Sequence, residues 1–119
     1  MIGDYTQIGP NVGIISSNHD HYDSRHHILG EVSIGKYCWI GMGAVVLPSV
    51  VLGDFTVVGA GAVVTRQFPD GCCVLAGNPA RIVKQLDRSK CIPFRNVHEY
   101  YGYIPASEFP DFRRRNLCV

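Results

Sequence analysis

The chain has 119 residues, and 11 Lys plus Arg against 10 Asp plus Glu leave a formal charge of +1, which excludes capture of nucleic acid or an anionic membrane by bulk charge. At 46% hydrophobic and 18% charged residues it is too apolar for a disordered chain, and no apolar run approaches the roughly 18 residues of a membrane span. A single domain that folds in water is expected.

Met1-Ile2-Gly3-Asp4-Tyr5 has no basic stretch leading into an apolar one, so no leader is read and a cytoplasmic location is expected. From there the chain repeats every six residues. Aliphatic side chains stand at Ile2, Ile8 and Ile14, and again at Ile28, Ile34, Ile40, Val46, Leu52, Val58 and Val64. The following residue is glycine at Gly3, Gly9, Gly35, Gly41, Gly53 and Gly59, and a third column of small or β-branched residues reads Thr6, Val12, Val32, Cys38, Ala44, Val50, Thr56, Ala62. An amphipathic helix would space its apolar residues by three and four. Period six instead describes a coil of short strands, with the aliphatic residue inward and glycine where the chain bends. Successive coils would stack about 4.8 Å apart through parallel ladders.

Between Ile14 and Ile28 the frame slips, and Asp20-His21-Tyr22-Asp23-Ser24-Arg25-His26-His27 reads as a loop extruded at a coil corner. The repeat domain is expected over 1–79 with its loop at 20–27, ending after the turn sequence Phe68-Pro69-Asp70-Gly71. Ala80–Asp87 reads as a short closing helix whose apolar face is Ile82, Val83 and Leu86. The tail, 88–119, has no repeat. Its Tyr100, Tyr101, Tyr103, Phe109 and Phe112 are separated by Gly102, Pro105 and Pro110, and it is expected to wrap over a surface. Cys38, Cys72, Cys73, Cys91 and Cys118 lack metal spacing and read as reduced thiols.

Asn18-His19-Asp20, Cys38-Trp39-Ile40-Gly41, Val58-Gly59-Ala60-Gly61-Ala62-Val63-Val64-Thr65 and Ala76-Gly77-Asn78-Pro79-Ala80-Arg81 together resemble the hexapeptide-repeat acyltransferases. The likeness runs from Ile2 to about Asp87 and is strongest to the sugar O-acetyltransferases of polysaccharide synthesis and the galactoside and maltose acetyltransferases. It implies an all-β fold, a left-handed parallel β-helix, against the usual handedness of crossovers. It also implies a homotrimer with acetyl-CoA, the acyl donor, in the groove between subunits. Small size points the same way, because so short a stack buries little surface and leaves two open ends.

Acetyl transfer to a sugar hydroxyl needs a base, and imidazole has a suitable pKa range. His19 ends the third repeat where the loop departs and matches the family's catalytic histidine. Asn18 and Asp20 flank it and either orient the ring or the acceptor, or cap the loop. Ala60, Gly61 and Ala62 would leave a low wall for the pantetheine arm. By resemblance, Thr65 and Arg66 are the threonine and basic pair beside the groove, and Arg81 and Lys84 meet the nucleotide end of the coenzyme. Trp39 lines the groove or fills a subunit interface. The oxyanion donor implied is a main-chain amide near Gly41 and Met42, where galactoside acetyltransferases carry a serine. No pattern of a covalent nucleophile stands out, so direct attack in a ternary complex is expected.

His21, His26 and His27 raise a zinc site, but their clustering within one loop differs from the separate coils used by hexapeptide-repeat carbonic anhydrases, and no metal is expected. Arg113-Arg114-Arg115 reads as a solvated terminus or a contact for a phosphorylated or nucleotide-linked acceptor. Relatives carry further coils upstream, so Met1 reads as an internal start or as a first coil capped by something else. The rival readings are a non-catalytic β-helix scaffold and an acetyltransferase acting on an amino sugar or an antibiotic.

Overall fold

The computed structural model describes residues 1–94, 100–101 and 103–117; Gly102, Cys118, Val119 and the side chains of Tyr100 and Tyr101 lie outside the described residues. The elements are β1 (Gln7–Ile8), β2 (Gly13–Ile14), β3 (Ser17–His19), β4 (His27–Leu29), β5 (Ser33–Ile34), β6 (Trp39–Ile40), β7 (Val45–Val46), β8 (Val51–Leu52), β9 (Val57–Val58), β10 (Val63–Val64), β11 (Cys73–Ala76) and β12 (Arg81–Gln85). A 3-10 turn at Arg88–Lys90, β13 (Tyr100–Tyr101), β14 (Ile104–Pro105) and α1 (Phe109–Asn116) follow.

Three parallel faces emerge from the pairing. The first stacks β1, β6, β9 and β11, the second β2, β7 and β10, and the third β5 and β8, extended by bridges from Ile2 to Ile34 and from Leu52 to Phe68. Between β5 and β10 partners in register differ by eighteen positions, as Trp39 with Val57 and Val45 with Val63, so each regular coil is three six-residue repeats. The repeat thus closes into a stack of three-sided coils. Ile34, Ile40, Val46, Leu52, Val58 and Val64 are at most 2% exposed, and Cys38, Ala44, Val50, Thr56 and Ala62 of the third column are buried with them. Thr56 is accommodated because its hydroxyl donates to Gly53 O at 2.7 Å. Ile2, Ile8 and Ile14, in the same column, are 49%, 44% and 36% exposed, because theirs is the end coil of the described stack.

The glycine column has a different cause from the one expected. The left-handed corner positions, φ between +57° and +68°, belong to Tyr5, Asn11, Tyr37, Gly43, Ser49, Phe55 and Gly61. Gly41 sits elsewhere: a Cβ there would meet Ala60 N at 2.6 Å and Val58 O at 2.7 Å in the next coil. Glycine is therefore required by coil-to-coil approach rather than by bending. The corner aromatics stack on one another, Tyr5 on Tyr37 at 5.3 Å and Tyr37 on Phe55 at 4.9 Å between centroids, and Phe94 from the tail packs against Tyr5 and Tyr37.

Two expectations are corrected. Ala80–Asp87 is not a helix: Arg81–Gln85 forms β12, antiparallel to β11. β11 is the last strand of its parallel sheet and would otherwise present an open edge. Gly77, at φ +95°, and Asn78-Pro79 turn the chain back along that edge, where β-branched Ile82 and Val83 suit a strand. Both are exposed rather than forming an apolar face against the body. Ile28 does not resume the inward column either, since β3 and β4 form an antiparallel hairpin that leaves it exposed. The short C-terminal helix is α1, beyond residue 100. No described helix is long and apolar enough to cross a membrane.

Gly41→Ala should lower stability by roughly 1–3 kcal/mol, the range for overpacking. Gly59→Ala should lose clearly less, because its nearest neighbours would be Leu75 O at 3.3 Å and the Ala76 Cβ at 3.4 Å. Urea unfolding of both variants checks the ranking, and equal losses would contradict it.

Candidate active site

The β3–β4 hairpin leaves the stack at the corner between the second and third faces, after β2 and before β5. Its tip is built by the Asp20 carboxylate, which accepts from Tyr22 N at 2.8 Å and Asp23 N at 2.9 Å. Those two amides, Asp23 first, hold the Asp20 carboxyl below its ordinary value. Asp23 is held low by Arg25, whose guanidinium donates to both of its oxygens. Asp20 is thus spent on the turn, and Asn18 Oδ1 accepts from His19 N at 2.9 Å.

The hairpin register sets His19 opposite His27, and the two rings pack with centroids 4.4 Å apart. His19 Nδ1 lies 2.5 Å from Ser24 O. A carbonyl can only accept, so Nδ1 carries the proton and Nε2 is the lone-pair nitrogen of the neutral ring. The sequence pattern points to His27 only through the discounted zinc site, and gives no role to Ser24. The signal was the symmetry of the loop: a hairpin closed by Asp20 and His26 must pair His19 with His27.

Of the remaining residues, some share the hairpin's corner and the others lie elsewhere on the stack. Thr65 and Arg66 follow β10 at the same corner from which the hairpin springs; both are exposed, and the Arg66 guanidinium lies 5.3 Å from the Phe68 ring centroid. Met42, Ala60 and Gly61 occupy the corner between the first and second faces, joined by Gly61 N donating to Met42 O at 2.9 Å. Met42 and Ala60 are exposed, but Ala62 is buried, so it belongs to the core and not to a groove wall.

Arg81 and Lys84 do not share a helical turn. The register shifts between Val74 and Leu75 and skips Val83, so Arg81 pairs with Ala76 and Lys84 with Val74. This bulge returns both cations to the outward side despite their odd spacing. The register row Gln7, Trp39, Val57, Val74, Lys84 then crosses the first face, with Trp39 58% exposed on it. Burial raises the Cys38 and Cys73 thiols above their ordinary value, which removes them as nucleophiles at neutral pH. Among the described residues no three His, Cys, Asp or Glu side chains converge on a metal position.

The candidate residues therefore fall on two corners of the stack and one face. The histidine hairpin with Thr65 and Arg66 marks one corner; Met42, Ala60 and Gly61 mark another, with the Trp39–Lys84 face beside it.

Residues 31–66 match the family model for the bacterial transferase hexapeptide, six repeats. Nodulation protein L of Rhizobium leguminosarum bv. viciae is 49% identical over 53 residues, 41% of this chain and 28% of that protein. Among solved structures the fold is similar to a galactoside acetyltransferase in complex with coenzyme A, with a TM-score of 0.68 and 34% identity over 80% of this chain and 50% of that one. It is also similar to a maltose O-acetyltransferase from Clostridium difficile 630, with a TM-score of 0.64 and 34% identity over 70% of this chain and 46% of that one. The chain spans about half the length of these two structures.

The Asp20 turn has a defined pH response. Its folded value lies below the unfolded one, so its contribution is complete above the unfolded value and disappears as pH falls through the folded one. The Tyr22 and Asp23 amide resonances should titrate together with a midpoint below the ordinary aspartate value, and Asp20→Ala should abolish that titration. A midpoint at or above the ordinary value would contradict the turn.

Proposed function

Because the chain carries the bacterial transferase hexapeptide repeat and stacks it as sugar acetyltransferases do, we propose that it is an acetyl-CoA-dependent O-acetyltransferase acting on a sugar hydroxyl. The observation that carries this reading is the state of His19: its Nδ1–H is tied to Ser24 O, and its Nε2 is left as an acceptor at the edge of an exposed hairpin. In a ternary complex the acceptor hydroxyl donates to Nε2. As its oxygen attacks the thioester carbonyl the proton passes to the ring, and the Ser24 carbonyl and the His27 ring hold the imidazole in place. The coenzyme thiolate leaves from the tetrahedral intermediate and takes that proton.

The oxyanion is assigned to a main-chain amide near Met42, and the donor's arm to the low corner at Ala60 and Gly61. Arg81 and Lys84, brought to one face by the β12 bulge, meet its phosphates, and Thr65 with Arg66 lies beside the hairpin. Asn18 remains a candidate contact for the acceptor; Asp20 acts only through the loop.

The corner bearing His19 and the corner bearing Met42 and Ala60 are different edges of the same three-sided stack, so they complete one site only when a neighbouring copy is set alongside. A homotrimer of left-handed β-helices with parallel axes supplies three such grooves and covers apolar residues such as Trp39 and Met42, each 58% exposed.

His19→Ala should lower turnover with acetyl-CoA and a galactoside or maltose acceptor by at least about 100-fold, the lower end for loss of a general base. The melting temperature should be unchanged, since the ring is exposed. Undiminished turnover would remove His19 from the chemistry. Sedimentation equilibrium should give three times the 13.1 kDa chain mass, and a monomer at micromolar concentration would overturn the shared groove.

A further inference from the structure

Two thiols meet beside the strand that carries Arg81 and Lys84. Cys72 is buried in the turn that leads into β11, and Cys91 follows the Arg88–Lys90 turn, partly exposed. Their sulfurs are 3.9 Å apart, across a separation of 19 residues that contains the whole β11–β12 hairpin. Cys38 and Cys73 belong to the core cluster. Cys91 is different: with Lys84, Gln85, Leu86, Asp87 and Lys90 it lines a groove of about 480 Å³. That volume admits a small reagent, and the two lysines suit the carboxylates of a glutathione-like one.

We infer that Cys72 and Cys91 are a dithiol modification site, which a small disulfide of the glutathione class converts to an intrachain disulfide. The Cys91 thiolate attacks one sulfur of glutathione disulfide and expels one glutathione thiolate, leaving a mixed disulfide at Cys91. The Cys72 thiolate then attacks the Cys91 sulfur and expels the second glutathione. Two protein thiols are oxidised, one glutathione disulfide is reduced to two thiols, and the two protein protons pass to solvent or to the departing thiolates. The sulfurs must close by about 2 Å to reach bonding distance, which the partly exposed Cys91 side can supply. The product staples the stretch after β12 to the last coil and closes a loop around the strand that carries Arg81 and Lys84. Desolvation and the neighbouring Cys72 hold the Cys91 thiol above its ordinary value, so the first step should accelerate as pH rises through the alkaline range.

The test is to incubate the native chain with glutathione disulfide at pH 8.5 and map the products by mass spectrometry after digestion. Backbone fragmentation between Cys72 and Cys73 identifies the sulfur used. The expected result is a monomer lighter by two hydrogens whose linked peptides join Cys72 to Cys91. Its melting temperature should be at least about 5 °C higher, since closing a loop of this length restricts the unfolded chain, and the increase should be reversed by dithiothreitol. Cys91→Ser, at a partly exposed position, should prevent the link. A stable glutathione adduct that does not resolve, a link through Cys73 or Cys118, or full retention of thiols would overturn the inference.

Discussion

Everything in this fold follows from stacking one coil directly on the next at the spacing of a parallel ladder. When Trp39 N donates to Thr56 O and Gly41 N to Val58 O, each residue of the regular coils is set over the one eighteen positions away, and the constraints on it are inherited from that neighbour. Inward positions become columns, so Ile34 lies beneath Leu52 and Ile40 beneath Val58. Close-approach positions become columns too. Gly35, for example, has no room for a Cβ because Asp54 N would be 2.6 Å away. Corner residues in the left-handed region form a third column, and where they are aromatic they stack, as Tyr5, Tyr37 and Phe55 do. A strand of two residues has no stability of its own; the columns hold it.

The same constraint decides where chemistry can sit. The interior is filled and the coil backbone is committed to its ladders, so functional groups can only be outward side chains, corner backbone or an insertion at a corner. The β3–β4 hairpin is such an insertion. It holds an imidazole by local means, an Asx turn at Asp20, a carbonyl from Ser24 and a packed ring from His27, without drawing on the core. The β12 bulge is the other local device, since in a regular strand the odd spacing of Arg81 and Lys84 would face them to opposite sides.

The period of six was legible because a column constrains many residues alike, and every inward position from Ile34 to Val64 is buried as its spacing implied. Ile2, Ile8 and Ile14 have the same pattern but differ in exposure, because burial there depends on what lies over an end coil, which no spacing encodes. The helix read over Ala80–Asp87 failed for a related reason. Locally Arg81-Ile82-Val83-Lys84-Gln85 fits either element, and the open edge of β11, a tertiary fact, selected the strand. Glycine was recognised as special without its cause, since contact between residues eighteen apart does not show in a local window. At the site, His19 was visible through its place before the loop, whereas its partner His27 emerged only once the loop was understood as a hairpin.

The central claim is that this coil stack presents a working donor groove for acetyl-CoA, and the melting temperature with and without that ligand tests it most directly. At about 100 times its dissociation constant a ligand specific for the folded state adds about 2.7 kcal/mol, which for a chain of this size raises the melting temperature by roughly 10 °C. A rise of that order, smaller for Lys84→Ala at the same concentration, is the expected result. No shift at millimolar acetyl-CoA would contradict the account.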